Sequence, residues 1–290
     1  MNSPEDERPL VITVAPTGAE VTRADNPHVP YTPAEIAAEV RRSFEAGAAV
    51  CHLHIREDDG TPSARPDVWR ETIARVRASC PGMIVMVSTG GAITMNEEER
   101  LAGLAARPDM ASLTTGTTNF GEGIFSNPLP LVRRFAQRMA QANIRPEVEI
   151  FEVGMIASAQ RLAREGLLAE PLHFNIMLGV PGALPGTPAH LLHVINALPA
   201  GASWSAGAVG RYQRQVTALA IVLGGHVRVG FEDNVKLTRT ELARSNAEFV
   251  ASAAALARAY GRPLATPEQA RLLLGVPSTE SERAQAPERR

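Results

Sequence analysis

The chain has 290 residues, 44% hydrophobic and 21% charged, with a formal charge of −2. That balance supports a packed core, excludes wholesale disorder, and leaves no global field to recruit nucleic acid or an anionic membrane. Two cysteines, Cys51 and Cys80, cannot build a disulfide framework, and neither belongs to a Cys-x-x-Cys pair. They fit a reducing, cytoplasmic setting. The start MNSPEDERP is polar with no apolar signal core behind it, and no apolar run approaches the roughly 20 residues of a membrane span. Aromatic residues, at 4%, are too sparse for a single-strand stacking platform.

In chain order, the first apolar β-type run is Leu10–Ala15. Thr32, Pro33 and Glu35 predict a helix with a capping box, ending near Gly47. A strand follows over Ala49–Ile55 and a helix over about Pro66–Ala78, then strand Met83–Ser88, helix Asn96–Ala105 and strand Met110–Thr115. Pro128–Ala142 reads as helix, Glu147–Phe151 as strand, and Met155–Glu165 as helix stopped by Gly166. The later half keeps the rhythm with strand His173–Leu178, helix Pro188–Ala197, a weak strand Ser203–Ala206, and helix Arg211–Leu223 closed by Gly224-Gly225. Strand His226–Phe231 and a long helix over Thr240–Tyr260 complete it. Alternation of this kind means parallel strands with crossover helices, and eight such units in about 260 residues is the arithmetic of an α/β (β/α)8 TIM barrel. An open doubly wound sheet prefers a Gly-x-Gly-x-x-Gly turn after its first strand, whereas APTGAE (15–20) stands there. The expectation is one catalytic barrel over 10–276, a flexible N-terminus over 1–9, and a polar, disordered tail over 277–290.

Barrel chemistry sits where strands run out into βα loops. The predicted strands deliver Thr17 and Glu20, His52 and His54, Ser88-Thr89-Gly90-Gly91, Ser112 with Thr114 and Thr115, Glu149 and Glu152, Asn175, Trp204 and Ser205, and Arg228 with Glu232 and Asp233. His52-Leu53-His54 is the sharpest local signal. Residues i and i+2 of a strand share a side, so both imidazoles face one space and supply half of a metal site. Without further ligands such a pair is more often ordinary polar strand residues. Glu20, Glu149, Glu152, His173, Glu232 and Asp233 are all open as the third ligand. Arg228 lies in an otherwise apolar strand, where it meets a carboxylate, a phosphate or Asp233 if it points inward, and snorkels if it points outward. Ser88–Gly91 offers hydroxyls and a glycine turn able to hold an anion or a developing oxyanion, or is a plain βα turn; it lacks the P-loop pattern. Cys51 faces away from the histidines, and the remaining histidines read as loop, capping or surface residues.

The stretches APTGAEVT (15–22), EAGAAVCHLHIREDDG (45–60), STGGA (88–92), ASLTTGTTNFG (111–121), GHVRVGFEDN (225–234) and SNAEFV (245–250) together resemble the β-keto acid cleavage enzymes, nearest to the 3-keto-5-aminohexanoate cleavage type. The resemblance implies a zinc-dependent barrel, usually a homotetramer, that converts a β-keto acid and acetyl-CoA to acetoacetate and a new acyl-CoA. It implies that His52, His54 and Glu232 hold Zn2+, a ligand set that also accepts Co2+ or Ni2+. It implies a catalytic dyad of Arg228 and Asp233, with Ser88 and Glu149 as further active-site groups and Ser88, Gly91 and Ser112 against the substrate. The position of Ser112 is usually Thr in that family. Glu20 would meet the ammonium of an amino-keto acid such as 5-amino-3-oxohexanoate. Two rival readings are a metal-dependent hydrolase on the same barrel and a non-catalytic metal- or small-molecule-binding barrel. The hydrolases usually carry His-x-His on the first strand and further histidines after the fifth and sixth; here the pair is on the second, and the fifth offers Glu149.

Overall fold

Residues 8–277 are described by the computed structural model. Side-chain alternation along short, buried strands decides the architecture. The strands are β1 (Ile12–Val14), β2 (Val50–Leu53), β3 (Ile84–Val87), β4 (Met110–Thr114), β5 (Thr118–Phe120), β6 (Gly123–Phe125), β7 (Arg145–Ile150), β8 (His173–Leu178), β9 (Ser203–Ala208) and β10 (His226–Val229). Between and after them run α1 (Pro33–Glu45), α2 (Pro66–Ser79), α3 (Glu97–Leu101), α4 (Leu129–Gln141), α5 (Gly154–Arg164), α6 (Pro188–Ala197), α7 (Gln213–Val222), α8 (Asn246–Tyr260) and α9 (Pro267–Leu274). Eight strands, all paired in parallel, close into a barrel in the order β1-β10-β9-β8-β7-β4-β3-β2. This is the expected TIM barrel. Both cysteines are free and buried. None of the described helices is long and apolar enough to cross a membrane.

Alternate strand residues enter two different cores, as the two-residue period requires. Ile12, Val14, Cys51, Leu53, Val85, Val87, Val148, Ile150 and Val227 pack outward against the helices. Val11, Val50, Ile84, Met86 and Met110 form a second cluster inside the barrel, stoppered by Ala270 and Leu274 of α9. Arg271 of α9 pairs with the buried Asp109 at 3.0 Å, and Asp109 also accepts from the Val85 amide at 2.9 Å. These bonds latch α9 under the floor.

The local signals act as their chemistry dictates. Thr32 and Glu35 make the reciprocal capping box of α1. Three features differ from expectation. A two-stranded hairpin, β5–β6, stands between β4 and α4. α9 follows the last of the expected elements and is not among them. The long helix expected from Thr240 begins only at Asn246. There Glu39 of α1 accepts the Asn246 amide at 2.8 Å, which supplies the helix start, while the Asn26 amide holds the preceding loop by Val235 and Ala243 carbonyls. The expected flexible N-terminus and disordered tail fall, except for 8, 9 and 277, outside the described residues.

The floor on the β7–β10 side is polar. His173 bonds Ser203 at 2.9 Å and lies 3.6 Å from Glu147, and His226 accepts the Val11 amide at 3.1 Å. Burial first, then repulsion by His173, Arg262 and Arg8, pushes His226 well below the ordinary imidazole range. It stays neutral in the fold while the unfolded chain takes up a proton below about pH 6.5. Its stabilising contribution is therefore present above that pH and is lost as pH falls toward the folded-state value. His226→Gln keeps an acceptor for Val11. In urea unfolding between pH 6.5 and 5 it is expected to lose less stability than the wild type, by up to about 1.4 kcal/mol per pH unit. Parallel profiles would refute this account.

Candidate active site

β2 carries His52, and His54 follows its end; both are buried, with ring centroids 5.4 Å apart. Glu232 reaches them from the turn after β10, where its amide donates to the Ala15 carbonyl at 3.1 Å. Glycines permit this approach. A Cβ on Gly18 would sit 2.5 Å from the Glu232 side chain, and Gly230, at φ +144°, lies against the Ala15 carbonyl where no other residue fits.

His54 Nε2 lies 3.2 Å and His52 Nε2 3.6 Å from the Glu232 carboxylate, and one ligand atom from each residue falls within 4.8 Å of the others. Buried polar atoms in folded proteins find partners. Both ring nitrogens of His52 and Oε2 of Glu232 have no hydrogen-bond partner among the described residues. Burial holds His52 well below the ordinary imidazole range, hence neutral and able to ligate. Burial alone would raise the Glu232 carboxyl, but Arg228 and then the two imidazoles outweigh it and hold it below the usual range. Two neutral imidazoles and a carboxylate fit a divalent first-row cation.

Arg228 points inward and is buried. It forks onto Asp233, with Nε–Oδ2 at 2.9 Å and Nη2–Oδ1 at 3.0 Å, and also reaches Glu232 at 2.6 Å and Glu149 at 3.3 Å. Burial would lower its affinity for the proton, but Asp233, Glu232 and Glu149 raise it well above the usual guanidinium value, so it is a fixed cation. Burial raises the Asp233 carboxyl above the usual range despite Arg228. Burial also raises Glu149 to about 7, against the pull of Arg228 and a 2.7 Å hydrogen bond from the Thr114 hydroxyl.

Glu149, Arg228, Glu232 and Asp233 line one pocket with Glu20, His54, Ser88, Gly90 and Gly91. Its ionisable lining comprises the carboxyls of Glu20, Glu149, Glu232 and Asp233, His54 and one guanidinium, Arg228, which favours cations. Ser112 stands behind the 88–91 loop, its hydroxyl accepting the Thr89 amide at 3.2 Å. Of the residues open as a third ligand, Glu232 alone completes a three-residue cluster among the described residues. His173 is at the opposite, N-terminal end of its strand, and Glu152 is outside the pocket lining.

Sequence reasoning missed the apolar side of the pocket, formed by Ile93, Phe120, Phe125, Phe151, Met177 and Val180. Phe120, Phe125 and Phe151 meet edge to face at 6.0–6.3 Å. The available signal was Thr118–Phe120 and Gly123–Phe125 around Gly121-Glu122, a Gly-x hairpin turn with Gly121 at φ +60°. Arg56 was also missed. Its buried guanidinium donates to Thr17, Val21 and Gly60 and so ties the Glu20 loop to the loop after β2.

Comparison with known proteins follows the same pattern. The model of the beta-keto acid cleavage enzyme family matches residues 9–276. The chain is 45% identical over 268 residues to the 3-keto-5-aminohexanoate cleavage enzyme of Acetoanaerobium sticklandii, covering 92% of this chain and 98% of that one. It is 42% identical over 276 residues to the 3-oxoadipate:acetyl-CoA acetyltransferase of Cupriavidus necator, covering 94% and 97% respectively. Among solved structures, apo ObcA superposes with a TM-score of 0.75 at 23% identity. The match covers 86% of this chain but 66% of ObcA, less than two thirds of its length, and speaks for the fold alone. With the family model spanning the whole barrel and this degree of identity to its members, the chain belongs to the β-keto acid cleavage enzyme family.

Proposed function

We propose that this protein joins a β-keto acid to acetyl-CoA and releases acetoacetate and a new acyl-CoA. The carrying observation is the convergence of His52, His54 and the otherwise unpartnered Glu232 oxygen beside the Arg228–Asp233 fork. The close identity to a 3-keto-5-aminohexanoate cleavage enzyme supports it. His52, His54 and Glu232 would hold the metal, Zn2+ in this reading with Co2+ or Ni2+ also accepted. When bound, a divalent cation there supplies charge to a chelated β-keto acid and eases loss of its α-proton.

The remaining work falls to the chain. Asp233 takes the proton from C2 of the substrate. Burial raises its affinity for a proton, and the Arg228 fork fixes its direction. Ser88 and Gly91 hold the substrate's oxygens, and Ser112 supports the loop that carries them. The C2 carbanion bonds to the acetyl carbonyl carbon, and the C–S bond breaks. The freed thiolate bonds to C3, the C2–C3 bond breaks, and the proton returns to C2. Glu149 keeps Arg228 paired from the far side of the pocket. A homotetramer in the cytoplasm completes the reading, in keeping with the family; light scattering tests the assembly.

The test pairs metal analysis with a panel of β-keto acids scored for acetoacetate formed from acetyl-CoA. Activity without acetyl-CoA, or none with any member, would overturn the assignment. We place the substrate's ammonium at Glu20, as the excess of carboxyls in the pocket favours a cation over a second carboxylate. Glu20→Gln is expected to cost a cationic substrate about tenfold in kcat/KM, the value of one exposed charge-assisted contact, and a neutral one little. Equal losses would reassign Glu20 to structure.

A further inference from the structure

Arg100 on α3 is buried, yet all its hydrogen-bond acceptors among the described residues are neutral. Nε donates to the Thr89 carbonyl at 2.7 Å. Nη1 donates to the Ser126 carbonyl at 3.2 Å, and Nη2 to the Asn127 side-chain oxygen at 2.6 Å. The guanidinium carbon lies 4.9 Å from the centroids of both Phe125 and Phe135. Taking a guanidinium out of water without a paired anion is costly, and an aliphatic side chain would fill the space without that cost. What a guanidinium adds is a rigid planar fork able to hold several acceptors at set spacings while stacking on rings.

The acceptors identify what is held. Thr89 belongs to the loop that presents Ser88, Gly90 and Gly91 to the pocket, and its amide and hydroxyl also bond Ser112. Ser126 and Asn127 follow directly on β6, whose Phe125 forms part of the aromatic wall. Thus one side chain spans the polar side of the pocket, which receives the reacting oxygens, and the apolar side, which faces the rest of the substrate. We propose that Arg100 is a positioning residue for the reaction, setting the distance between the Ser88–Gly91 loop and the hairpin wall. This rests on the β-keto acid reading above. Displacing either side by about 1 Å changes how the substrate's reacting carbons lie relative to its bound end.

The experiment has two readouts. Amide hydrogen exchange on Arg100→Met is expected to rise together in segments 88–91 and 118–127 and to stay at wild-type levels in β2 and β7. In Arg100→Lys, which keeps charge but loses the fork, KM for the β-keto acid is expected to rise about tenfold with KM for acetyl-CoA within about twofold. Phe135→Leu removes the stacked ring that lies outside the pocket lining and should reproduce that split if the Arg100 variants do not fold. Unchanged exchange in both segments, a rise spread evenly over the barrel, or wild-type kinetics in folded Arg100→Lys and Phe135→Leu would each overturn the proposal. Should the wild type form no acetoacetate, the functional reading fails, and the exchange pattern still decides whether Arg100 couples the two segments.

Discussion

Dialysis against a strong chelator is expected to abolish turnover, and His52→Ala to lower kcat/KM by at least about 10^3-fold with loss of bound metal. The size follows from the charge arrangement. Four carboxyls and a single guanidinium meet in one pocket, and His52 is buried with both ring nitrogens unpartnered. Without a cation, an enolate forming beside the ionised Glu232 has only the Arg228 guanidinium, already shared with Glu232, to offset its charge. A loss of several kcal/mol of transition-state stabilisation corresponds to about three orders of magnitude in rate. His173→Gln is the control: at the floor of the barrel it should leave metal content and activity intact. A metal-free preparation with full activity would end this assignment.

Asp233→Asn is expected to keep the bound metal and the fold while lowering kcat by about 10^2–10^4-fold, the range for removing a positioned general base. Asn is close to isosteric, and its carboxamide oxygen can still accept from Arg228, so the site retains its shape. What disappears is the group proposed to take the proton. Steady-state kinetics with metal analysis distinguishes the alternatives. Loss of metal together with activity would make Asp233 a support for Glu232, and near-wild-type kcat would remove it from the chemistry.

Much of this was legible in the sequence because short-range rules carried it. The two-residue period put His52 and His54 on one side of β2 and Cys51 and Leu53 on the other. The Thr32–Glu35 capping box set the start of α1. The candidate metal cluster needed more: by spacing alone Glu20, Glu149, Glu152, His173 and Asp233 were as open as Glu232, which the family resemblance singled out and strand registry, with β10 beside β1 and β1 beside β2, brings to the histidines. The start of α8 could not be read locally, since TRTELARS is helix-compatible and the boundary is imposed by Glu39 and Asn26, distant in sequence. The aromatic wall was hidden because its strands are three residues long, too short for periodicity to register.

The plug formed by α9 has a kinetic consequence. With Ala270 and Leu274 sealing the interior against Ile84 and Met110, traffic is confined to the opposite aperture. In the proposed reaction, acetoacetate and the departing thioester leave through the same doorway that admits the reactants. Each product then shares that opening with the next arrival, and inhibition by added acetoacetate in initial-rate measurements is the expected outcome.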